Sequence, residues 1–186
     1  MDHFFQQGYR YYQIYEKELE KGAGGEQAER EAVKWGQKTE RLFFGMLISG
    51  VYSNADLFAN YAGMKFYRRL TERVVLANGK SLTPVLKLND GRWSFYENEQ
   101  TGEDIVSGFI SDHLNEAMNP SGYSLLLFPT VKRVVKNRAC PEWRRAFPDL
   151  TLEKAAERTA ALETWNGEDY GFTRKSKTVT IADACF

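Results

Sequence analysis

The stretch SGVYSNADLFANYAG, residues 49–63, decides how the rest of the chain must be arranged. SGVYS has the composition of a turn, and Ser53 followed three residues later by Asp56 is typical of a capped helix N-terminus. Since a helix that is apolar on nearly every face belongs in a protein interior, we predict that the helix from Asn54 to Leu70 is the centre of the fold. Its apolar residues are Leu57, Phe58, Ala59, Tyr61, Ala62, Met64, Phe66, Tyr67 and Leu70.

Two amphipathic helices are predicted before this central helix. Residues 2–21 carry aromatic and aliphatic side chains at mostly helical spacing, which indicates one buried face. The GAGG at 22–25 ends that helix, because adjacent glycines lose too much backbone entropy to stay helical. The second helix, predicted over 26–46, has an apolar stripe. The stripe consists of Ala28, Ala32, Trp35, Leu42, Phe43 and Met46. We expect the two helices to be antiparallel neighbours.

A small antiparallel sheet is predicted over residues 73–97. Short β-branched and aromatic segments alternate there with Asn78-Gly79 and Asp90-Gly91, the strongest short hairpin signals. Beyond a loop at 100–103, further helices are predicted over 104–118 and 123–138 and from Thr151 onward, with Pro129 bending the second of them or lying in its first turn. The prediction is a mainly α-helical α+β fold, a bundle around a central buried helix with a β-hairpin insertion.

Bulk composition narrows the class of protein. With 186 residues, 42% of them hydrophobic and 14% aromatic, the chain is expected to form one globular domain over 1–186. The 25 basic and 25 acidic residues cancel, which makes nucleic acid an unexpected partner. The apolar runs fall short of the roughly 20 residues that a membrane span needs. The start of the sequence lacks the basic leader and apolar core of a secretory signal.

Cys140 and Cys185 are the two cysteines. They are too few for a four-cysteine zinc site, and the CxxC pairs and nearby histidines that would complete another type of zinc site are missing. They are either two ordinary thiols or one disulfide that pins the C-terminal segment. A disulfide would indicate an oxidising compartment, periplasmic or extracellular, whereas free thiols would suit the cytoplasm.

Asp56 and Asn60 are the first candidate site. Four residues apart on a helix, they share a face and could both project into one cleft. Asp56 also lies in the first turn, where a carboxylate bonds free backbone N–H groups and complements the helix dipole. Asn60 is predicted inside a buried helix and needs partners for its amide. We expect it to tie the helix to a neighbouring loop, and it could also line a pocket.

Acidic side chains offer the second candidate. Glu40, with Asp56 or Glu116, could form a carboxylate pair that cleaves a glycan by general acid and base catalysis. On the predicted helix 104–118, Asp112, His113 and Glu116 would also share adjoining faces. That arrangement only weakly resembles half of a carboxylate metal site. We therefore expect no metal, and we interpret Asn119 as a helix-stop residue with some potential to bind a ligand.

Two other segments could bind a ligand. Glu168 and Asp169 lie in the glycine-flanked WNGEDYGF, where they could contact a ligand or merely follow a helix stop. The basic stretch of Lys132, Arg133 and Lys136 could meet phosphates, although such a helix face is usually just solvated.

The sequence contains no motif that specifies a reaction. The nucleophile elbow GxSxG and the glycine-rich phosphate loops are missing, and no cofactor is implied. The expectation is a binding or interaction module of a bacterial cell envelope, with a protein or glycan partner. The alternative is a glycan-cleaving enzyme that uses the carboxylate pair. An enzyme of that kind needs two carboxyls roughly 5 to 10 Å apart across an open cleft.

Overall fold

Helix α3, Asn54–Thr71, is the centre of the fold, as predicted. In the computed structural model, which describes residues 2–42, 45–96, 102–174 and 177–186, this helix is buried on most of its surface. Its side chains Leu57, Phe58, Ala62 and Met64 have no exposed area. Ser53 caps the helix by accepting a 3.1 Å hydrogen bond from the backbone N–H of Asp56.

The two helices that precede α3 pack against it and against each other. A π-helical turn, His3–Gln7, leads into α1, Gly8–Glu20, and α2 follows over Gly25–Leu42. The break at 22–25 is where the sequence predicts it. The predicted stripe position Phe43 lies outside the described residues, and Met46 lies in a turn rather than in a continued helix.

Glycine allows α1 and α3 to cross at backbone contact distance. A Cβ on Gly63 would lie 2.0 Å from the carbonyl oxygen of Phe4 and 2.9 Å from the Cα of Gly8. Gly36 of α2 makes room for a side chain of α1, because its Cβ would lie 1.5 Å from the hydroxyl of Tyr11. These contacts fix the first turn of the chain against the middle of α3.

Both predicted hairpins are present. Strands β2, Val74–Val75, and β3, Ser81–Leu82, pair on either side of Asn78-Gly79, where Gly79 has a φ of 83°. Strands β4, Leu86–Asn89, and β5, Arg92–Phe95, pair around Asp90-Gly91, with φ values of 48° and 76°. The last residue of the predicted insertion, Glu97, lies outside the described residues.

A three-stranded antiparallel sheet was not predicted. Strand β1, Val51–Ser53, pairs with β6, Ser121–Tyr123, which pairs in turn with β7, Thr178–Val179. The interpretation of SGVYS as a turn is therefore wrong for residues 51–53. Each strand has only two or three residues, too few to show a periodic pattern, and its partners are distant in sequence.

The segment after the hairpins differs from the predicted helices. Helix α4 covers Gly102–Ser107 and is followed by a 3₁₀ turn at Asp112–Leu114, so the continuous helix predicted over 104–118 is wrong. The predicted loop residues 100 and 101 lie outside the described residues. The helix predicted over 123–138 begins only at residue 128, with Pro129 in its first turn as expected. The remaining helical elements are α5, Phe128–Val134, a π-helical turn Val135–Ala139, α6, Cys140–Ala146, α7, Leu152–Ala161, and α8, Ile181–Cys185.

The buried apolar side chains form two clusters. The larger, here called the aromatic core, surrounds α3 and includes Phe4, Tyr11, Phe58, Phe66, Phe109, Trp165 and Tyr170. The smaller, the cystine cluster, surrounds α8 and includes Met118, Cys140, Leu162, Val179, Ile181, Ala184 and Cys185. Cys140 and Cys185 form a disulfide, the second of the two alternatives left open by the sequence. Among the described residues, no helix is both long and apolar enough to cross a bilayer.

Candidate functional site

A cavity of about 390 Å³ opens beside the N-terminal half of α3. Its walls come from the first turn of the chain, from α3 and from the segment 106–116. Most of the wall is apolar, whereas three polar side chains gather in one part of it. The lining residues are His3, Phe4, Ala55, Asp56, Ala59, Val106, Ile110, Leu114 and Glu116.

His3 bridges the two polar residues that the sequence placed on one face of α3. Its ring nitrogen Nδ1 lies 3.1 Å from Oδ1 of Asn60, and its Nε2 lies 3.4 Å from Oδ2 of Asp56. An amide oxygen only accepts, so Nδ1 carries a proton. Asn60, which is 4% exposed, ties α3 to the first turn of the chain and not to a loop, and it orients the imidazole.

Ser53 joins the other two predicted carboxyls to the same place. Its backbone N–H donates a 2.9 Å hydrogen bond to Glu40, and its hydroxyl donates a 3.1 Å bond to Glu116. Since the N–H of Ser53 is satisfied by Glu40, Asp56 is not needed as the reciprocal cap that the sequence suggested. The Asp56 carboxyl instead faces His3 and the cavity.

The three carboxyls differ in their exposure. Glu40 is 5% exposed and does not line the cavity, so it supports Ser53 from behind. The Asp56 side chain is 30% exposed, and Glu116 is open to solvent at the cavity rim. Glu40 is therefore placed to orient Ser53, whereas Asp56 and Glu116 are placed to contact a bound molecule.

Burial governs the protonation of the two less exposed carboxyls. It raises the pKa of Asp56 above the ordinary aspartate value; the charge of His3 opposes this effect and that of Glu116 adds to it. Burial also raises the pKa of Glu40, against the hydrogen bond from Ser53 and with a further contribution from Asp56. A carboxyl with a raised pKa beside an exposed carboxyl is the arrangement of an acid and base pair.

The predicted neighbours of Glu116 lie elsewhere. The 3₁₀ turn Asp112–Leu114 ends at Asn115, whose backbone is extended, so Asp112, His113 and Glu116 do not share helical faces. His113 stacks on Phe58 at 4.7 Å, and its Nε2 bonds the carbonyl of Thr164 at 3.0 Å. Burial lowers the pKa of His113, as expected for a neutral structural ring. No group of three potential metal ligands occurs among the described residues.

The remaining predicted ligand residues make internal contacts. Asn119 is fully buried, and its amide donates to the His113 carbonyl at 2.9 Å. Asp169 accepts a 2.8 Å bond from the backbone of Gly171. Glu168 forms a 3.1 Å ion pair with Lys65, which also pairs with Glu29 at 2.7 Å. The structure does not bring these three residues to the cavity.

Two members of the site were missed by the sequence reasoning. His3 lies 57 positions from Asn60, and only the close crossing of α1 and α3 brings them together. Ser53 was recognised as a helix cap but not as the residue that joins Glu40 to Glu116. The pair Gly8 and Gly63 was the available signal for that crossing, since small residues permit backbone contact between helices.

Comparisons with known proteins assign this chain to no family. The chain matches no protein-family model. Neither a curated protein sequence nor a solved structure shows significant similarity to it.

Proposed function

We propose that the protein is a hydrolase that cleaves glycans by general acid and base catalysis in the cavity beside α3. The observation that carries the proposal is the meeting of Asp56 and Glu116 on one rim of that cavity, with Asp56 the more buried of the two. Hydrolysis of a glycosidic bond needs a protonated carboxyl for the leaving group and an ionised carboxyl for water or the anomeric carbon.

The roles follow from the environments. Asp56 is assigned as the general acid, because burial raises its pKa above the ordinary aspartate value. His3 contacts the same carboxyl and holds it toward the cavity. Glu116 is the base or nucleophile, held toward the cavity by the Ser53 hydroxyl. Glu40 and Asn60 are positioning residues. Asn60 holds His3, which lines the cavity, and Glu40 holds Ser53, whose hydroxyl bonds Glu116.

The cavity wall further defines the substrate. Phe4, Val106, Ile110 and Leu114 make one side apolar. A sugar that carries an acyl or other apolar substituent fits such a wall better than a uniformly hydroxylated one, because the apolar area is removed from water on binding. The disulfide supports a location in an oxidising compartment, and we place the protein in a bacterial cell envelope, in the periplasm or outside the cell.

Replacement of either rim carboxyl tests the assignment. In an assay against a panel of acylated and plain oligosaccharides, Asp56→Asn and Glu116→Gln are each expected to lower kcat at least about 100-fold, the usual scale for an acid or base. Asp112→Asn, which removes an exposed carboxyl away from the cavity, is the matched control and should keep full activity. The activity of the wild type should fall at high pH as Asp56 loses its proton.

A binding module without catalysis is the second candidate, favoured by the mainly apolar wall of the cavity. It predicts that a glycan binds the wild type with measurable heat but is recovered intact. Asn60→Ala, which releases His3, would then weaken binding in a thermal-shift screen. Turnover by the wild type that disappears in Asp56→Asn would exclude this candidate, whereas ligand recovered unchanged from every variant would exclude the hydrolase.

A further inference from the structure

Four aliphatic side chains project into solvent at one end of the three-stranded sheet. Leu47 is 71% exposed, Ile48 75%, Leu125 75% and Leu126 90%. We call this group the leucine patch. Single exposed apolar residues are common on protein surfaces, but several large ones on adjoining turns indicate an interaction site.

Strand pairing brings the two halves of the patch together. In the register of β1 and β6, Val51 pairs with Tyr123. Val51 follows the turn that carries Leu47 and Ile48, and Tyr123 precedes the turn that carries Leu125 and Leu126. The backbone N–H of Ser124 donates to the carbonyl of Gly50 at 2.8 Å, which joins the turns directly. Leu127 packs on Gly50 so closely that a Cβ there would lie 2.6 Å from it. The patch is therefore one surface, built on a hydrogen-bonded frame.

The border of the patch is basic. Lys132 and Lys177 lie over the ring of Phe128, at 6.0 and 5.4 Å from its centre, and Arg133 is exposed beside them in α5. The segments 41–53 and 121–141, which supply the patch, contain basic residues and no aspartate or glutamate. In a chain with equal numbers of acidic and basic residues, these two segments carry a local excess of positive charge.

We infer that the leucine patch docks the protein on an anionic phospholipid bilayer. Exposed aliphatic side chains enter the region below the headgroups, while lysine and arginine beside them reach the lipid phosphates. A second copy of the chain does not fit this surface, because a symmetric contact would bring two basic borders together. The inference is independent of the proposed catalytic activity, since no patch residue lines the cavity.

Docking would hold the cavity near the membrane. Ser53, which bonds Glu40 and Glu116, lies at the opposite end of the three-residue strand β1 from the patch. A substrate that is itself attached to or embedded in the bilayer surface would then be presented to the cavity in a constant orientation.

Sedimentation with lipid vesicles tests the inference. The wild type should bind vesicles of mixed phosphatidylcholine and phosphatidylglycerol, bind pure phosphatidylcholine weakly, and lose affinity as salt is added. The double variant Leu125→Ser/Leu126→Ser should reduce the partition coefficient at least about tenfold, through lost insertion. Lys132→Ala/Arg133→Ala should reduce it about fivefold per charge on the anionic vesicles alone.

Matched controls keep the test decisive if a variant is merely less stable. Val75→Ser removes an aliphatic side chain that is 59% exposed outside the patch, and Lys87→Ala removes a basic residue of β4. Both should bind like the wild type, and the melting temperature of every variant is recorded. Equal binding of wild type and Leu125→Ser/Leu126→Ser would overturn the inference. So would a wild type that ignores vesicles but forms dimers that this variant abolishes, since the occupant would then be a second copy.

Discussion

The aromatic core and the cystine cluster stabilise two parts of the protein by different means. In the aromatic core, ring contacts run without interruption from Phe4 through Phe66, Phe109 and Trp165 to Phe58, with centroids 5.4 to 6.1 Å apart. The cystine cluster contains smaller apolar side chains and a covalent link between α6 and α8.

The difference follows from the amount of apolar area that each part can bury. Large aromatic residues bury 150–250 Å² each, so a helix surrounded by them needs no cross-link. A small cluster buries too little area to offset the conformational entropy of its segments, and a disulfide reduces that entropy in the unfolded chain. We therefore expect the cystine cluster to open first and the aromatic core, with the candidate site at its edge, to persist.

Removal of the disulfide should have the largest effect on stability. Its two cysteines are 45 residues apart, and Cys140→Ala/Cys185→Ala should lower the free energy of unfolding by about 4 kcal/mol in the chain-entropy model. Hydrogen exchange should show faster exchange in α6 and α8, with the amides of α3 still protected. Reductant added to the wild type should reproduce the result. Equal loss of protection in α3 would mean that the two clusters unfold as one unit.

Gly63→Ala should have the next largest effect, and it should act on the other region. The new methyl group would collide with backbone atoms of Phe4 and Gly8, which cannot rotate away, so we expect a loss of about 3 kcal/mol. Protection should fall in α1 and α3 and persist in α8. Gly24→Ala is the matched control, because nothing lies within 4 Å of its Cβ position and no loss is expected. A stable Gly63→Ala protein would show that the crossing is adaptable.

The sequence predicts the parts of this fold whose signals are local. Helix α3 carries apolar residues on nearly every face and begins at a serine cap, and both hairpins carry turn dipeptides that tolerate positive φ. The sheet of β1, β6 and β7 could not be predicted, because its strands are short and are joined by distant pairings. The helix predicted over 104–118 failed because Phe109 is buried in the aromatic core and His113 stacks on Phe58. Such contacts depend on the tertiary fold and override local periodicity.

In the candidate site, too, local features could be predicted from the sequence and tertiary contacts could not. Asp56 and Asn60 could be related by helical spacing alone. Glu40 was paired with Asp56 or Glu116 on chemical grounds, and the structure places Glu40 and Glu116 against Ser53. The contribution of His3 depends on how α1 crosses α3, which only the packed structure defines. A sequence pattern therefore identifies carboxyls capable of acid and base chemistry, but not the arrangement that gives each one its environment.

The smallest of the expected effects concerns Glu40, at the edge of the aromatic core. Burial raises its pKa in the folded protein, so the folded state holds this proton more tightly than the unfolded state does. The resulting stabilisation is fully present below the unfolded pKa and is lost as the pH rises through the folded pKa. Glu40→Gln can still accept the bond from Ser53 but no longer titrates.

We therefore expect Glu40→Gln to flatten the decline of unfolding free energy over that pH range, with Asp56, Glu16 and Glu168, whose pKa values burial also raises, contributing to the remaining slope. Denaturant titrations at a series of pH values measure this quantity directly. Glu157→Gln in α7 is the control for loss of one exposed negative charge. Wild-type and Glu40→Gln curves that stay parallel would mean that Glu40 is ionised at little cost, and would remove the support for a buried carboxyl behind Ser53.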